Sequence, residues 1–318
     1  MNPQKPVMRL LLRKTRPGQS RDGQPVKAKK GRNRKMKIGV SSYSFSQSIR
    51  KGKLNMFTTI EEAAKLGFEA IEFTELEAPD GETKEEFAGK LVKEAARCGI
   101  DISAYVVGAN LYGDAKEQEA QLNRLKKEVD IANLLGVKRF RYDVIGMLPA
   151  GISFEQVLEN VAPVMRQLAD YAAQYGIVTM IENHGRAFQD SDRVERVYSK
   201  INHPNFALLV DMGNFMCADE IPVLSVSRVA NLAAHVHAKD FVRKEYGEPG
   251  TTEGYFQTRG CNYLKGTAVG YGDCKAAQCV EILKQTGYDG YMDIEFEGPE
   301  DCIEELKKGL AFLKGCLA

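Results

Sequence analysis

Four side chains that can bind a divalent cation end four successive apolar segments in the second half of the chain. They are Glu182, Asp211, His237 and Glu295, and they follow runs of mostly apolar residues typical of buried β-strands. Any one of them alone is equally well explained as a polar strand end that faces water. Buried carboxylates repel one another unless a cation neutralises them, so four in succession favour a shared metal ion. Three carboxylates and one imidazole form a mostly hard ligand set, which suits Mn²⁺, Mg²⁺ or Co²⁺ and contains no thiolate.

Two further polar side chains follow along the same segments. Because side chains alternate along a β-strand, His184 would share the inward face with Glu182, and Lys239 would share it with His237. We interpret Lys239 as a residue that polarises a substrate oxygen or binds a phosphate. A solvated lysine after a strand end is the alternative.

A second pair, His235 and Asp293, lies one inward step below His237 and Glu295. The two side chains could meet beneath the metal and support its ligands. A packed histidine with a satisfied hydrogen bond explains His235 equally well, so both interpretations stay open.

These segments belong to a regular alternation of strands and helices. From Met36 onward, short β-branched runs alternate with longer segments of helical period, a pattern typical of a parallel sheet covered by helices. Eight such units close into a (β/α)8 TIM barrel, and no G-x-G-x-x-G follows the first strand to favour an open doubly wound sheet. We therefore predict a single-domain α/β TIM barrel over residues 36–318. The predicted strands are Lys37–Ser41, Ala70–Phe73, Ile102–Val106, Arg139–Tyr142, Val178–Ile181, Ala207–Val210, Ala234–His237 and Tyr291–Phe296.

Amphipathic segments between the strands predict the covering helices. Several of them end on a glycine just before the next strand, where a left-handed C-cap suits a residue without a Cβ atom. These glycines are Gly67, Gly99, Gly136, Gly176 and Gly287, and the helices are predicted over Thr59–Lys65, Lys84–Arg97, Glu117–Leu135, Phe154–Gln174 and Ala276–Gln285.

Composition and charge exclude several functional classes. The 44 basic and 43 acidic residues leave a net charge of +1, which provides no overall field to attract nucleic acid or anionic lipid. No apolar run approaches the roughly 18 to 20 residues that a membrane span requires. The 7 cysteines include no C-x-x-C pair, and we interpret them as free thiols in a reducing compartment. We therefore expect a cytoplasmic protein without a membrane or nucleic-acid partner.

Residues 1–35 differ from the rest of the chain in composition. They hold twelve lysines or arginines and a single acid, Asp22, and such a segment buries too little apolar surface to order itself. We predict a disordered basic N-terminal extension, interpreted as an upstream addition or a mis-assigned start because Met36 opens the first strand. Contact with RNA or an anionic surface is the alternative.

The connection from Asp240 to Asp273 is long for a βα loop. It carries basic residues among aromatic ones, and loops of this length usually form lids or binding elements. We predict that Arg259 or Lys265 contacts an anionic group of the substrate, with a solvated basic loop as the alternative.

Five motifs together give the chain a family resemblance. It resembles the xylose-isomerase-like TIM barrels, which include sugar phosphate isomerases and epimerases, ketose 3-epimerases, hydroxypyruvate isomerase and inosose dehydratase. The resemblance covers Met36 to about Leu313. It implies one divalent metal ion, Mn²⁺ before Mg²⁺ or Co²⁺, held by Glu182, Asp211, His237 and Glu295. The motifs are Ile181-Glu182-Asn183-His184, Val210-Asp211-Met212-Gly213-Asn214, His235-Val236-His237-Ala238-Lys239-Asp240, Val269-Gly270-Tyr271-Gly272-Asp273 and Ile294-Glu295-Phe296-Glu297-Gly298.

The resemblance also implies a reaction. Glu182 and Glu295 would act as acid and base, and His184 and Lys239 match positions that face the substrate. The implied activity is that of a sugar isomerase or epimerase, which transfers a proton next to a carbonyl through a metal-bound enediolate. An inosose-type dehydratase, which is a lyase, would use the same site. The substrate is expected to be a small sugar or sugar derivative, and a homo-oligomer is compatible with such a barrel.

An endonuclease IV-like phosphodiesterase is the rival from another class, because it shares this barrel. Its multinuclear zinc cluster requires many histidines, whereas the chain has 4, one of which, His203, lies in a turn. A barrel that binds a sugar without turnover would show the loss of a ligand, and none is lost. We therefore favour the isomerase or epimerase.

Overall fold

Residues 36–318, which the computed structural model describes, fold as a closed barrel of eight parallel strands. The barrel strands are β1 (Lys37–Ser41), β2 (Ala70–Thr74), β3 (Asp101–Val107), β4 (Arg139–Tyr142), β5 (Val178–Glu182), β6 (Phe206–Asp211), β7 (Ala233–Ala238) and β11 (Tyr291–Ile294). Their order around the barrel is β1-β11-β7-β6-β5-β4-β3-β2. The predicted TIM barrel is thus confirmed and the open sheet is excluded. The last strand ends at Ile294 and not at Phe296 as predicted.

Helices follow the strands and cover the barrel from outside. Three of the predicted helices begin with a capping box, in which the side chain of Thr83, Asp114 or Ser153 and the residue three positions later satisfy each other's backbone N–H groups. The five predicted C-terminal glycines all have left-handed φ angles, which confirms that part of the pattern. The helices are α1 (Ser46–Arg50), α2 (Thr58–Leu66), α3 (Lys84–Cys98), α4 (Ala115–Leu134), α5 (Phe154–Ala173), α6 (Ser191–Ile201), α7 (Asn214–Cys217), α8 (Pro222–Val229), α9 (Ala276–Gln285) and α10 (Cys302–Leu317), with 3₁₀ turns at Ser42–Phe45 and Ala230–Leu232.

Strand register determines which polar side chains meet inside the barrel. Asp211 pairs with His237 across β6 and β7, and His237 pairs with Asp293 across β7 and β11. Asp293 in turn pairs with Gly39 of β1. A Cβ atom on Gly39 would collide with Oδ1 of Asp293, so the glycine makes room for a buried carboxylate.

Aromatic side chains of β2, β3 and β4 pack on the outer, helix-facing side of the barrel. Phe73, Tyr105, Phe140 and Tyr142 are fully buried and belong to one apolar core, in which the Tyr105 hydroxyl donates a hydrogen bond to Glu128 of α4. Tyr43 differs from them because 39% of its surface is exposed at the carboxyl end of the barrel. Inside the barrel, a separate smaller apolar cluster consists of Val106, Met180 and Leu209.

A small antiparallel sheet is inserted between β7 and α9. It consists of β8 (Asp240–Lys244), β9 (Phe256–Gln257) and β10 (Tyr263–Thr267) in the order β8-β10-β9. We call it the insertion sheet, and it gives structure to the long connection that was expected to form a lid or binding element.

The carboxylate of Asp240 anchors the chain where it leaves the insertion sheet. It accepts backbone hydrogen bonds of 2.9 to 3.2 Å from Phe241, Gly270, Gly272 and Cys274. Gly270 and Gly272 therefore form a turn around the Asp240 carboxylate, and α9 follows this turn.

Three sequence-based expectations concern the whole chain. The disordered extension falls on residues 1–35, outside the described residues, and it stays a prediction together with the domain boundary at residue 36. The seven cysteines all lie in the described part and are unpaired. Among the helices of residues 36–318, none combines the length and the apolar character needed to cross a membrane.

Candidate metal centre

The four candidate ligand residues converge at the carboxyl end of the barrel. Glu182 and Asp211 are the last residues of β5 and β6, His237 is the penultimate residue of β7, and Glu295 follows β11. One ligand atom from each residue lies within 4.8 Å of the others. The Nδ1 atom of His237 is 3.6 Å from Glu182 Oε1, 3.8 Å from Asp211 Oδ2 and 3.6 Å from Glu295 Oε2. The four side chains therefore face one small volume.

Backbone N–H groups donate hydrogen bonds to one carboxylate oxygen of Asp211 and leave the other oxygen without a donor. Its Oδ1 accepts hydrogen bonds from the N–H groups of Gly213 at 2.7 Å and Asn214 at 2.9 Å. The Asn183 side chain forms two hydrogen bonds of 2.9 Å with the Asp211 main chain. Its Nδ2 donates to the Asp211 carbonyl oxygen, and its Oδ1 accepts from the Asp211 N–H. Asp211 Oδ2 has no hydrogen-bond donor among the described residues, and Lys239 Nζ lies 3.5 Å away.

Glu182 is held at both carboxylate oxygens. Its Oε2 lies 2.9 Å from Nη2 of Arg141, and its Oε1 accepts a hydrogen bond of 2.8 Å from the Asn214 side chain. Arg141 is buried and also pairs with Asp143 at 2.6 Å. The orientation of Glu182 is therefore set by groups on two other elements.

Glu295 is held less tightly than Glu182. Its Oε2 forms an ion pair with Lys239 Nζ, which also lies 3.4 Å from Glu297 Oε2. The Glu295 side chain is 13% exposed, whereas that of Glu182 is 4% exposed. Of the two glutamates, Glu295 therefore has more freedom to move and more contact with the cleft above.

Burial and neighbouring charges separate the pKa values of the three carboxyl groups. Burial raises the pKa of Asp211 to about 7, against the opposing charge of Lys239. Burial acts in the same direction on Glu182, but the charge of Arg141 and the contacts with His237 together outweigh it, so the pKa of Glu182 lies well below its usual value. Burial is likewise outweighed at Glu295 by Lys239 and His237 together, and the pKa of Glu295 is lowered to about 2. Without a metal, Asp211 is therefore the carboxyl group that holds a proton near neutral pH.

A second group of polar side chains lies fully buried beneath the first. The Nε2 atom of His237 is 2.9 and 3.0 Å from the two carboxylate oxygens of Glu72. His235 Nε2 is 3.3 Å from Glu72 Oε2 and 2.9 Å from Asp293 Oδ2. Ser103 donates a hydrogen bond of 2.5 Å to the same Asp293 oxygen. His235 and Asp293 thus meet beneath the candidate ligands, which is one of the two arrangements left open by the sequence.

The charges of Glu72 and His237 stabilise each other in the metal-free protein. Burial lowers the pKa of His237, but the carboxylates of Glu72 and Glu295 outweigh it and raise the pKa well above its usual value. Burial raises the pKa of Glu72, but the charges and hydrogen bonds of His237 and His235 together outweigh it and the net shift is downward. Glu72 is therefore ionised and serves only as a hydrogen-bond acceptor.

Three adjoining cavities lie over the centre, and Glu297 lines all of them. The first, of about 210 Å³, exposes Glu182, His237 and Glu295. The second and third measure about 310 and 230 Å³, and both are lined by Phe256 of the insertion sheet. The cleft therefore connects the candidate ligands with the insertion sheet.

His184 and Lys239, two of the predicted substrate-binding residues, both line this cleft. His184 lies in the first and second cavities, where its Nδ1 is 2.9 Å from Asp143 Oδ1. Lys239 lines the same two cavities, although only 4% of its surface is exposed. Both positions are compatible with substrate contact, which stays a prediction.

Arg259, the third predicted substrate-binding residue, is paired with protein groups. Its Nη1 lies 2.8 Å from Asp190 Oδ2, and its Nη2 donates a hydrogen bond of 3.0 Å to the carbonyl oxygen of Arg186. Arg186 lines the second cavity, and its guanidinium has no ion-pair partner among the described residues. Arg259 therefore connects the insertion sheet to the loop that carries Arg186, and its own contact with a substrate stays a prediction.

Sequence reasoning missed Glu72, Arg141 and Arg186. Glu72 interrupts the apolar segment Ala70-Ile71-Glu72-Phe73, and an acid inside a buried strand was a signal that could have identified it. Arg141 alternates with aromatic residues in Arg139–Tyr142 and gave a weaker signal of the same kind. Arg186 lies in a loop, where the sequence offers no such contrast.

The donor set fits a divalent cation. Asp211 Oδ2 and His237 Nδ1 are both buried without a hydrogen-bond partner among residues 36–318. An unsatisfied buried polar atom costs about 1–3 kcal/mol, and a shared cation would satisfy both atoms at once. The surrounding carboxylates supply the negative charge that such an ion requires.

The fold and the centre together define a class, the TIM barrels with a candidate metal centre at the carboxyl ends of the strands. Residues 60–316 match the family described as Xylose isomerase-like TIM barrel, and the chain belongs to this family. The family resemblance seen in the sequence is thus confirmed.

Individual relatives are more distant. An inosose dehydratase from Lacticaseibacillus casei is 24% identical over 140 residues, which cover 44% of this chain and 47% of that protein. The chain thus spans about half the length of the curated relatives it matches.

Solved structures resemble this one along most of its length. A D-psicose 3-epimerase determined in the presence of D-fructose has a TM-score of 0.67 at 16% identity, with 89% of this chain and 99% of that chain covered. The IOLI protein with a bound zinc atom has a TM-score of 0.70 at 16% identity, with 89% and 98% covered. At these identities the likeness demonstrates the fold alone.

Proposed function

We propose that this protein is a divalent-metal-dependent sugar isomerase or epimerase that transfers a proton next to a carbonyl group. The observation that carries the proposal is the convergence of Glu182, Asp211, His237 and Glu295, with two buried atoms that lack a protein partner. These four residues would hold the ion, Mn²⁺ before Mg²⁺ or Co²⁺. Bound there, the ion would polarise a substrate carbonyl and stabilise negative charge on its oxygen.

Glu295 is proposed as the base that first removes the substrate proton. Its side chain is more exposed than that of Glu182 and faces the cavity of about 210 Å³. Its low pKa, which reflects the nearby charges of Lys239 and His237, keeps it ionised in the metal-free protein, and loss of the Lys239 contact would make it a stronger base. Lys239, which pairs with Glu295, can move to a substrate oxygen once a cation neutralises the carboxylates.

Glu182 is proposed as the second acid–base group. Arg141 and Asn214 orient its carboxylate. Epimerisation would follow if Glu182 took a proton from water in the cleft and delivered it to the opposite face of the same carbon, while Glu295 released its proton to water. Delivery of the proton held by Glu295 to the neighbouring carbon, with a proton passing between the two substrate oxygens, would give interconversion of aldose and ketose.

His184 and Lys239 are the proposed substrate contacts, and Arg259 is proposed to act through Arg186. The Arg186 guanidinium in the second cavity has donors available for a substrate hydroxyl or anionic group. Arg259 would keep it there by holding its carbonyl oxygen.

A dehydratase is the second candidate, favoured by the sequence match to inosose dehydratases. The same proton would pass to Glu295, and a hydroxyl on the next carbon would leave as water. His184 is the group that could protonate that hydroxyl. Burial lowers the pKa of His184, but the hydrogen bond to Asp143 and the negative charges of Glu182 and Asp143 together outweigh burial and raise the pKa.

The test is exchange of a substrate C–H proton in D₂O, followed by proton NMR with the Mn²⁺-loaded protein. The panel contains ketoses, aldoses and inososes, and we expect one of them to lose a C–H signal and form an isomer, an epimer or a dehydrated product. Glu295→Gln, assayed at a Mn²⁺ concentration that saturates the variant, should slow the exchange by about 10²–10⁴-fold, the range for a general base. Glu297→Gln is the control for a nearby charge change and should slow it far less. A Glu295→Gln variant that exchanges as fast as the parent would contradict the assignment.

A further inference from the structure

Glu72 lies in the buried group beneath the candidate ligands, where it contacts the imidazoles of His235 and His237. We propose that Glu72 is a positioning residue that fixes the His237 ring so that Nδ1, and not Nε2, faces the metal. The inference rests on the proposed function, because it concerns how that site presents one of its ligands.

The contacts of His237 determine which nitrogen carries hydrogen. Its Nε2 atom lies 2.9 and 3.0 Å from the two oxygens of Glu72, which is the geometry of an N–H group that donates to a carboxylate. A neutral imidazole protonated at Nε2 has its lone pair on Nδ1. That atom is buried, lacks a hydrogen-bond partner in the described part of the chain and lies 3.6 to 3.8 Å from three carboxylates.

The position of Glu72 is itself fixed from several sides. β2 and β7 are not neighbours in the barrel, so the contact between Glu72 and His237 crosses the barrel interior. His235 Nε2 approaches Glu72 at 3.3 Å and is held by Asp293 at 2.9 Å. The carboxylate has no exposed surface and cannot exchange these contacts for water. Glu72 therefore fixes the His237 ring and does not merely fill space beside it.

A second metal ion between Glu72, His235 and His237 is the competing explanation. These residues also offer donor atoms within 4.8 Å of one another. However, each Nε2 atom is already within 3.0 Å of a carboxylate oxygen, as expected for N–H donors. A metal there would displace both protons and make His237 bridge two cations. The lower group is therefore a hydrogen-bonded support, and the expected stoichiometry is one ion per chain.

The test compares Glu72→Gln with Glu128→Gln. Glu128 is also a buried carboxylate, but it lies on α4 and accepts a hydrogen bond of 2.7 Å from the Tyr105 hydroxyl. Calorimetric titration with Mn²⁺ should show an affinity about 10–100-fold weaker in Glu72→Gln, the range for losing a partner of a metal-bound histidine. Glu128→Gln should bind like the parent. The visible absorption spectrum of bound Co²⁺ should change in Glu72→Gln only.

A measurement on the parent protein decides the matter even if Glu72→Gln does not fold. The chain has only 4 histidines, so ¹⁵N-histidine labelling gives a tractable spectrum. In the Zn²⁺-loaded protein, long-range ¹H–¹⁵N correlations should show a proton on Nε2 of His237 and the metal on Nδ1.

The outcomes separate the two proposals. Metal bound at Nε2 of His237, or unchanged Mn²⁺ affinity and Co²⁺ spectrum in a folded Glu72→Gln, would overturn the role of Glu72 and leave the proposed function standing. A parent protein that binds no divalent ion would overturn both.

Discussion

The strands of the two halves of the barrel carry different kinds of side chain. The strands β5, β6 and β7 and the end of β11 carry side chains whose lone pairs face one volume, whereas β1 to β4 carry mostly buried aromatic and aliphatic groups. The polar exceptions in the first half contact the second half, because Glu72 of β2 holds His237 and Arg141 of β4 holds Glu182. One half thus supplies candidate ligands, and the other half orients them.

The largest effect is expected from removing a candidate ligand. Asp211→Asn keeps the shape of the side chain but removes the charge that faces the other ligands, so Mn²⁺ affinity should fall by more than the roughly 10–100-fold typical of supporting residues. Calorimetric titration measures this loss. An Asp211→Asn variant with the affinity of the parent would contradict the division of roles.

The matched change in the first half of the barrel is Tyr142→Phe. The Tyr142 hydroxyl is buried without a hydrogen-bond partner among the described residues, so its removal leaves no group unsatisfied. We expect Mn²⁺ affinity to be unchanged and the free energy of unfolding to stay equal or rise. A loss of metal binding in this variant would show that the first half contributes more than orientation.

The metal-free protein should lose stability as the pH rises from about 5 to 7. The pKa of Asp211 is about 7 in the folded state against an ordinary value of 3.8, so the folded state binds a proton in this window that the unfolded state releases. This contribution is fully present below the ordinary pKa and is lost as the pH rises through 7. Each pKa unit corresponds to about 1.4 kcal/mol, so the decrease should amount to a few kcal/mol.

Urea denaturation in the presence of a chelator at pH 5, 6 and 7 measures this decrease. The raised pKa values of His235 and His237 act in the same direction above their ordinary value of 6.5. Asp211→Asn should make the free energy of unfolding less dependent on pH below 6.5. With saturating Mn²⁺, the free energy of unfolding of the parent should instead rise with pH. A parent protein whose stability rises between pH 5 and 7 in chelator would contradict the assigned pKa shift.

A smaller effect is expected from Gly39→Ala in β1. The added Cβ would collide with Asp293 and force the buried network to move, at a cost of about 1–3 kcal/mol in the free energy of unfolding. Gly89→Ala is the control, because Gly89 lies inside α3 with no atom within 4 Å of the added carbon. It should be neutral or slightly stabilising, since alanine favours a helix. Equal denaturation midpoints for Gly39→Ala and the parent would show that the network adapts.

The sequence predicted most of the fold and the candidate ligands of the polar centre, but not the residues that orient them. The eight strands and the helix-ending glycines follow from periodicity and from backbone preference, which are local properties. The convergence of Glu182, Asp211, His237 and Glu295 was predictable because parallel strands bring their carboxyl ends to one edge. Glu72 was missed because its contact with His237 crosses the barrel interior and depends on register, which no local pattern determines.

The basic residues of the loops show the same limit. Arg259 was selected for its charge, but the structure pairs it with Asp190, and Arg186 is the arginine that lines the second cavity. Charge can be read from a sequence, whereas the partner that neutralises it depends on the tertiary structure.

The metal content of the intact chain tests the central claim most directly. Equilibrium dialysis against Mn²⁺, followed by elemental analysis, should give one ion per chain for the parent and a strongly reduced content for Asp211→Asn at the same free metal concentration. A parent protein without bound ion, or an Asp211→Asn variant that retains the full content, would contradict the claim that these four side chains form one metal centre.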